Sequence, residues 1–205
     1  MGNCYIARRG GMNQAQNDYI SNGLIYICQN HNIDLNQYKS KITFNTPITI
    51  NSGAYTYEYV LKVDSIPSGT YGRILDFHTS SSYGVSCKSA EIMSGSDFSI
   101  NDMMFSEDFC WANDISLLYS NVYSLSFVMD NQVCSFYING IKQIQTKSFN
   151  NSTITVENIY TMWARESSNR DTNGCLYSVR LYNRVLSDNE INYNYSVDQS
   201  LYINN

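Results

Sequence analysis

Two short stretches of the sequence carry residue types suited to recognising a hydroxyl-rich ligand. The first places an aromatic ring beside an amide and a carboxylate, and the second places guanidinium, amide and carboxylate groups in a polar segment between predicted strands. A flat ring stacks on the face of a pyranose, the polar groups hydrogen-bond its hydroxyls, and strand-connecting segments usually hold ligand contacts. The predicted ligand-binding residues are Trp111, Asn113, Asp114, Arg165, Asn169, Arg170 and Asp171. A buried core position explains Trp111 equally well.

The sequence lacks a pattern of carboxylates suited to catalysis. A glycoside hydrolase needs two carboxylates on either side of the scissile bond, ~5–5.5 Å apart in a retaining enzyme. Glu58 is the only acid within its apolar segment, and Glu157 and Glu166 flank a different one. The two histidines, His31 and His78, lie near no nucleophile elbow. We therefore predict no catalytic residue and no enzymatic activity.

The composition fits one large domain with a polar but sparsely charged surface. The chain has 205 residues, of which 43% are hydrophobic and 15% charged, and its formal net charge is −5. This length suits one large β-sandwich better than two small domains. The best basic cluster, Arg8-Arg9, is far from a nucleic-acid footprint, and no run approaches the ~18 apolar residues that span a bilayer. We therefore predict neither nucleic-acid nor membrane binding.

The six cysteines are predicted to be free thiols. None belongs to a Cys-x-x-Cys pair, and the histidines are in no zinc-ligand spacing. The N-terminal segment lacks the apolar run of a secretory signal. Isolated cysteines within strands behave as small buried apolar side chains.

Two-residue periodicity predicts antiparallel strands. In the segment 55–63, five apolar side chains alternate with the other face, on which Val60 is the single apolar exception. The segment 123–130 alternates in the same way, and residues 155–164 and 175–182 give two further strands. A helix would distribute these tyrosines and aliphatic residues around its circumference, so the pattern indicates sheets.

The sequence also predicts a hairpin and the orientation of the last strand. Asn139-Gly140 lies between two extended runs and favours a type I′ turn, which needs positive φ at both central residues. In the last strand, Tyr177, Val179 and Leu181 are predicted to face the same way.

One short helix follows the last strand. Ser187 and Glu190 match the capping box, in which the serine accepts from the third turn amide and the glutamate accepts from the cap amide. Ile191 and Tyr195 lie four residues apart and share a predicted buried face. The remainder, to Asn205, is predicted to be a tail.

The N-terminal stretch differs from the rest of the chain. Residues 1–22 are rich in Gly, Asn and Gln with weak periodicity, which is typical of an arm or linker. We therefore divide the chain into an N-terminal arm or linker, residues 1–22, and a sandwich domain, residues 23–205.

The segment 176–198, LYSVRLYNRVLSDNEINYNYSVD, resembles the closing strand and helix of laminin-G-like jelly rolls in the concanavalin A-like lectin and glucanase superfamily. In that family an Arg-x-Tyr-Asn-Arg-x-Leu strand leads into a Ser/Thr-Asp-x-Glu-Ile helix start. The matching residues are Arg180, Tyr182, Asn183, Arg184, Leu186, Ser187, Asp188, Glu190 and Ile191. Residues 41–65 and 127–143 resemble the early strand pair and the later hairpin in the expected order, so the resemblance covers roughly residues 24–198.

The resemblance implies an all-β fold, a two-sheet antiparallel jelly-roll sandwich with one short C-terminal helix. On the polar face of the last strand, Arg180 and Arg184 are expected to pair with carboxylates across the sheet. The structural purpose of this motif is closure of the fold, in which the helix covers an open end.

Family members include glucanases, sugar- or protein-binding modules and structural adaptors. The glucanase branch ordinarily uses Glu-x-Asp-x-x-Glu on one strand, and no such spacing occurs here. The resemblance also makes Ca2+ a candidate ligand, with loop carboxylates as its hard oxygen donors. Asp97, Asp102, Asp114 and Asp171 qualify by type. They match no dedicated calcium loop and are equally explained as solvated turn residues, so the metal ligands stay unassigned and no other cofactor is predicted.

The resemblance includes jelly rolls of tailed-phage structural proteins, often with a short basic arm like ARRGG. We therefore expect a noncatalytic recognition or decoration module on the surface of a phage virion, assembled in the host cytoplasm. Its arm is expected to bind other virion proteins, and its loops a glycan or host-surface polysaccharide. The alternatives are a purely structural capsid, tail or fibre protein and a glycoside hydrolase of the glucanase branch. Assembly into a homo-oligomer is left open.

Overall fold

The computed structural model describes the strands and the C-terminal helix. The described residues are 3–6, 19–29, 40–50, 54–65, 71–78, 88–93, 100–104, 109–111, 117–131, 133–148, 154–161 and 173–204. Side chains are described at 19–25, 49, 54–65, 117–131, 133–143 and 173–204.

Within these residues the chain forms thirteen strands, one α-helix and a π-helical turn. The strands are β1 (Asn3–Ile6), β2 (Leu24–Gln29), β3 (Ser40–Ile50), β4 (Ala54–Ser65), β5 (Tyr71–His78), β6 (Lys88–Met93), β7 (Ile100–Met104), β8 (Phe109–Trp111), β9 (Val122–Asp130), β10 (Val133–Ile138), β11 (Ile141–Ser148), β12 (Ile154–Thr161) and β13 (Asn173–Tyr182). The helix α1 (Asp188–Asp198) is followed by the π turn (Gln199–Ile203).

The strands form two antiparallel sheets. The seven-stranded sheet has the order β1-β2-β13-β4-β9-β10-β11, and the six-stranded sheet has the order β3-β12-β5-β6-β7-β8. Every pair of neighbouring strands is antiparallel. The predicted fold class, an antiparallel two-sheet sandwich with one short C-terminal helix, is confirmed.

The central strand β4 is buried on both faces, whereas the alternation in its sequence predicted one buried face. Its alternating apolar side chains are almost completely inaccessible: Tyr55, Tyr57, Tyr59, Leu61 and Val63. Phe127 of β9 stacks on Tyr57, with ring centroids 4.9 Å apart and planes 9° apart. Burial this complete needs a second layer, and the six-stranded sheet supplies it.

A β-bulge in β13 changes one predicted face. The strand register shifts just after Leu176, and the Tyr177 ring contacts the ring of Tyr202 in the π turn, with centroids 5.5 Å apart. Val179 and Leu181 keep their buried positions, and Leu176 is buried with them. The prediction that Tyr177 shares their face is therefore wrong, because the extra residue of a bulge interrupts the two-residue alternation.

The predicted Asn-Gly hairpin is confirmed. Asn139 has φ 51° and Gly140 has φ 74°, the positive values that a type I′ turn requires. The Asn139 amide donates to the Ser124 carbonyl at 2.7 Å, and the Ser124 amide donates to Asn139 Oδ1 at 3.0 Å. The turn between β10 and β11 is thereby fixed to β9.

The predicted capping box at the start of α1 is also confirmed. Ser187 Oγ accepts from the Glu190 amide, and Glu190 Oε2 accepts from the Ser187 amide at 2.9 Å. Arg184 pairs with the same glutamate at 2.6 Å and lowers its pKa to about 2. The expectation that Arg184 pairs across the sheet is wrong, because this residue follows the end of β13 and faces the first turn of α1.

The chain beyond α1 is not the predicted tail. Residues 199–203 continue the helix as the π turn, and Tyr202 is buried against the sheet. The stretch assigned to an arm also contributes to the sandwich: β1 pairs with β2, and the Tyr19 side chain is buried.

Gly174→Ala is expected to destabilise the protein, because its site has no room for a Cβ. An added Cβ would lie 2.0 Å from the carbonyl oxygen of Lys62 in β4. We expect the free energy of unfolding in a urea titration to fall by roughly 2 kcal/mol or more. The neighbouring exposed change Asn173→Ala is expected to stay within about 0.5 kcal/mol of the parent protein. Equal stability of the two variants would contradict the described pairing of β13 with β4.

Candidate functional site

β8 and β12, the two strands that precede the predicted ligand-binding segments, end on the same side of the six-stranded sheet. β8 ends at Trp111, which pairs with Asn101 of β7. Asn101 in turn pairs with Glu91 of β6, and Glu91 pairs with Arg73 of β5. β12 ends at Thr161, opposite Leu75 of β5, two residues from Arg73. The segments after β8 and after β12 therefore leave the sheet at the same end.

The seven-stranded sheet contributes to this end as well. β4 ends at Ser65, opposite Asn173 at the start of β13, and β9 begins at Val122, opposite Lys62. We call this side of the sandwich the loop end. From the strand ends, the connecting segments that leave it are residues 30–39, 66–70, 94–99, 112–121, 139–140 and 162–172.

The seven predicted ligand-binding residues all belong to strands or segments at the loop end. Trp111 is the last residue of β8, and only its backbone is described. Outside the described residues lie Asn113, Asp114, Arg165, Asn169, Arg170 and Asp171. Their ligand-binding role stays a prediction.

The two strands that precede the predicted segments are separated along the sheet. β8 is the edge strand, and β12 is four positions away in the strand order. At ~4.8 Å per strand, their axes are about 19 Å apart.

Described polar side chains connect β4 to the segment that precedes β9. The Ser120 amide donates to the Val63 carbonyl at 2.7 Å, and Ser120 Oγ donates to Asp64 at 3.0 Å. Lys62 pairs with the other oxygen of Asp64 at 3.1 Å, and this hydrogen bond raises the pKa of Lys62. Ser120 has φ 64°, so the chain turns sharply here.

Two further hydrogen bonds order the same surface. Asn173 Nδ2 donates to Ser65 Oγ at 2.8 Å, and the Leu118 amide donates to the Tyr123 hydroxyl at 2.9 Å. The Leu118 side chain is 56% exposed. The described part of the loop end thus offers an ordered rim of polar groups with two exposed apolar side chains, Leu118 and Ile141.

The outer face of the seven-stranded sheet is closed by α1 over a buried ionic group. Arg180 of β13 donates through Nε to Glu58 Oε2 of β4 at 2.9 Å. Its Nη1 and Nη2 donate to the two carboxylate oxygens of Asp198 in α1 at 2.7 and 2.8 Å. The predicted pairing of Arg180 with a carboxylate across the sheet is confirmed.

Neighbouring polar side chains complete the hydrogen bonding of these three side chains. Tyr19 donates to Asp198 Oδ1 at 2.8 Å, and Ser124 donates to Asp198 Oδ2 at 2.6 Å. Asn194 and Ser126 contact Glu58 at 2.7 and 3.0 Å. We call the group formed by these residues the polar cluster: Arg180, Glu58, Asp198, Asn194, Ser124, Ser126 and Tyr19.

The polar cluster is a connection between segments that are distant in sequence. Arg180 also lies 4.2 Å from the centre of the Tyr19 ring, a cation–π distance. Asn194 Oδ1 accepts from the Ile20 amide at 3.0 Å. Burial opposes the charge of Arg180, but Asp198 and Glu58 raise its pKa well above the ordinary value. The guanidinium therefore stays charged and binds the sheet, the helix and residues 19–20 together.

Every described carboxylate side chain has a structural partner. Glu58 and Asp198 bind Arg180, and Glu190 binds Arg184. The remaining three accept hydrogen bonds at the surface: Asp64 from Ser120, Asp130 from Asn131 and Asp188 from Tyr137. Glu58 and Asp198 are buried, whereas Asp64, Asp130 and Asp188 are exposed to solvent.

The sequence reading missed most of the polar cluster. The sequence analysis assigned no role to Asn194 or Asp198 and placed Tyr19 in an arm, yet all three are buried. A usable signal is present in their spacing: Asn194 and Asp198 are four residues apart on the helix that follows Arg180, so they share a face.

The described residues give no support for an assigned metal. Among them, no group of three or more His, Cys, Asp or Glu side chains is placed to hold an ion. Of the calcium candidates, Asp102 lies in β7 with only its backbone described, and Asp97, Asp114 and Asp171 lie outside the described residues.

Within the described residues, α1 and the π turn are too short and too polar to span a bilayer.

Removing one carboxylate from the polar cluster should be costly. Asp198→Ala removes the bidentate carboxylate partner of the buried Arg180, and breaking a buried ion pair in this way costs about 3–5 kcal/mol. We expect this loss in the free energy of unfolding measured by urea denaturation. Asp130→Ala, at an exposed position, is the matched control and is expected to change it by less than about 0.5 kcal/mol. An equally small loss for Asp198→Ala would contradict the structural role of the polar cluster.

Solved structures with a similar fold come from several kinds of protein. A SAP-like pentraxin from Limulus polyphemus matches with a TM-score of 0.59 at 12% identity, over 81% of this chain and 79% of that chain. A Trypanosoma rangeli sialidase in complex with sialic acid matches with a TM-score of 0.59 at 12% identity, over 87% of this chain and 33% of that chain. The receptor-binding domain of botulinum neurotoxin type G matches with a TM-score of 0.53 at 12% identity, over 77% and 42%. At these identities the likeness shows a shared fold alone.

The sequence itself matches a family model. No curated protein matches the chain significantly. The model described as "Concanavalin A-like lectin/glucanases superfamily", of the laminin-G type, matches residues 36–192, which is more than half of the chain. The chain therefore belongs to the laminin-G-type family of the concanavalin A-like lectin/glucanases superfamily.

Proposed function

We propose that the protein is a noncatalytic recognition module that binds carbohydrate at the loop end. The observation that carries this proposal is the strand order, which brings the ends of β8 and β12 to one side of the sandwich. The two predicted ligand-binding segments follow directly from those ends. Ligand contacts in sandwiches concentrate in such connecting segments, held by a rigid sheet.

The expected ligand is an extended glycan. The segments after β8 and after β12 start about 19 Å apart, and the described rim at the end of the seven-stranded sheet carries hydroxyl, amide and carboxylate groups. Aromatic stacking at Trp111 and hydrogen bonds from the segment 165–171 would then contact different sugar units of one chain. A polysaccharide of a host cell surface has the required length and density of hydroxyl groups.

The described carboxylates support a noncatalytic role. Glycosidic hydrolysis requires one carboxylate that is free to donate a proton and a second that is free to attack or activate water. Glu58 and Asp198 are instead buried beneath α1, and the other described carboxylates have structural partners. Similar folds occur in a sialidase with bound sialic acid and in a receptor-binding domain, and this variety agrees with recognition on this scaffold.

The setting that we propose is the surface of a tailed-phage particle. Its support is the sequence resemblance to phage jelly rolls and the basic pair Arg8-Arg9, which lies outside the described residues. A purely structural virion protein is the competing function, and it requires no glycan at the loop end.

Glycan binding is tested with variants at two separated points of the loop end. We expect the purified protein to bind bacterial surface polysaccharides on a glycan array. Trp111→Ala and Arg170→Ala are each expected to weaken binding at least about tenfold, the effect of losing one stacking or charged contact of about 1.4 kcal/mol. Isothermal titration calorimetry with the selected oligosaccharide measures the loss.

The control for that experiment lies at the opposite end of the sandwich. Asn131→Gly is at an exposed turn between β9 and β10 with φ 45°, so glycine fits there, and it is expected to leave the affinity unchanged. Absence of any array hit for the folded protein would favour the structural function. New reducing ends released from a bound polysaccharide would contradict the noncatalytic role.

The virion setting makes a separate prediction about the basic pair. Truncation of residues 1–22 would remove β1 and Tyr19, so the double substitution Arg8→Ala/Arg9→Ala is the cleaner change. We expect it to abolish co-sedimentation with phage particles and to leave glycan binding intact. Unchanged co-sedimentation would contradict docking through the basic pair.

A further inference from the structure

The polar cluster contains one more carboxylate than it has cations. Arg180, Glu58 and Asp198 are each at most 1% exposed. Tyr19 and Tyr182 are the other titratable groups that act on Glu58 or Arg180 among the described residues, and burial raises the pKa of each phenol, so both are neutral. With both carboxylates ionised, the cluster would hold an uncompensated negative charge away from water. A proton on one carboxylate removes this charge at far lower cost.

The hydrogen bonds around Asp198 are those of an ionised carboxylate. Oδ1 accepts from Arg180 Nη1 and from the Tyr19 hydroxyl, and Oδ2 accepts from Arg180 Nη2 and from the Ser124 hydroxyl. Both oxygens therefore already receive two hydrogens, and the guanidinium binds in the bidentate geometry that favours the anion. Both oxygens of Asp198 accept from the charged guanidinium, whereas only one oxygen of Glu58 does, so Asp198 is the better anion of the two.

The hydrogen bonds around Glu58 are different on its two oxygens. Oε2 accepts from Arg180 Nε at 2.9 Å and from Asn194 Nδ2 at 2.7 Å. Oε1 has one described contact, the Ser126 hydroxyl at 3.0 Å. A hydroxyl accepts a hydrogen bond as readily as it donates one. A proton on Oε1 is therefore compatible with every described contact of this carboxyl group.

We propose that Glu58 is protonated at Oε1 in the folded protein and donates to Ser126, so that α1 packs on an electrically neutral cluster and ionisation of Glu58 weakens this packing. Asn194 connects the proton site to both covering segments. Its amide group donates to Glu58 and to the Tyr182 hydroxyl, and its carbonyl oxygen accepts from the Ile20 amide. A negative charge on Glu58 thus acts at the point where residues 19–20 and α1 meet the sheet.

The direction of the pH dependence follows from burial. Burial raises the pKa of Glu58 above its ordinary value of 4.5, while Arg180 acts in the opposite direction. Between the ordinary pKa and the raised one, the folded protein binds a proton that the unfolded chain lacks. The unfolding equilibrium constant therefore increases by up to roughly tenfold per pH unit in this window and levels off above the raised pKa.

Glu190 provides a control with the opposite sign. Its pKa is lowered to about 2, first by the hydrogen bond from Arg184. Its contribution to stability is present above its ordinary pKa and is lost as the pH falls toward about 2. Glu190→Gln is expected to remove this acidic loss and to leave the behaviour above the ordinary glutamate pKa unchanged.

The direct test is the protonation state of the wild-type side chain. We expect the 13C chemical shift of the Glu58 side-chain carboxyl carbon, assigned by its disappearance in Glu58→Gln, to be that of a protonated acid at neutral pH. A shift typical of an ionised carboxylate at neutral pH would overturn the proposal. This measurement on the wild-type protein decides the question even if a variant fails to fold.

The coupling to α1 is tested by comparing Glu58→Gln with the wild-type protein. Glutamine reproduces the protonated acid, because its oxygen accepts from Arg180 and Asn194 and its amide donates to Ser126. In urea denaturation we expect the wild-type protein, and not Glu58→Gln, to lose stability as the pH rises above the ordinary glutamate pKa. At one alkaline pH, amide exchange in α1 is expected to be faster in the wild type than in Glu58→Gln, with equal exchange in β9. Identical pH profiles for the two proteins would overturn the coupling.

Discussion

The arrangement of the described structure depends on the buried contact of Arg180 with Glu58 and Asp198. One guanidinium makes hydrogen bonds to the neighbouring strand β4 and to the last residue of α1, and it lies against the ring of Tyr19. A buried cation with no anion beside it is far more costly than the pair. The packing of the sheet, the C-terminal helix and residues 19–20 is therefore interdependent. The helix is an integral part of the domain that covers the outer face of the sheet.

This constraint separates the parts of the molecule by function. Carboxylates at the centre of the seven-stranded sheet, where a hydrolase of this architecture would use them, are committed to holding α1 in place. The outer face of that sheet is closed along the length of the helix, from the Tyr137 hydroxyl bonded to Asp188 to the Ser124 hydroxyl bonded to Asp198. The loop end remains the part of the sandwich where several connecting segments meet, and the hydrogen bonds of Ser120 and Asn173 give it an ordered base.

The sequence predicted those features that depend on local pattern. Alternation in β4, the Asn139-Gly140 turn and the Ser187 capping box each require only nearby residues, and each is confirmed. The family resemblance predicted the pairing of Arg180 without identifying its partners. Asp198 escaped prediction because a polar residue at the end of a helix is ordinarily solvated, and its burial depends on Arg180, eighteen residues earlier. Tyr177 was placed on the wrong face because a bulge leaves no trace in a two-residue pattern. The ligand-binding residues were predicted from residue type alone. The strand order shows that the segments containing them start at the same end of the sandwich, and it does not show their contacts.

We propose that recognition takes place at the loop end, while the face covered by α1 and the turn at residue 131 have structural roles. The most direct test is an NMR titration of the 15N-labelled protein with a polysaccharide fragment selected for binding. The predicted result is that amide shifts concentrate at residues 63–65, 120–122 and 173–175, with α1 and the turn at residue 131 unchanged. Shifts confined to α1 or to the turn at residue 131 would contradict it.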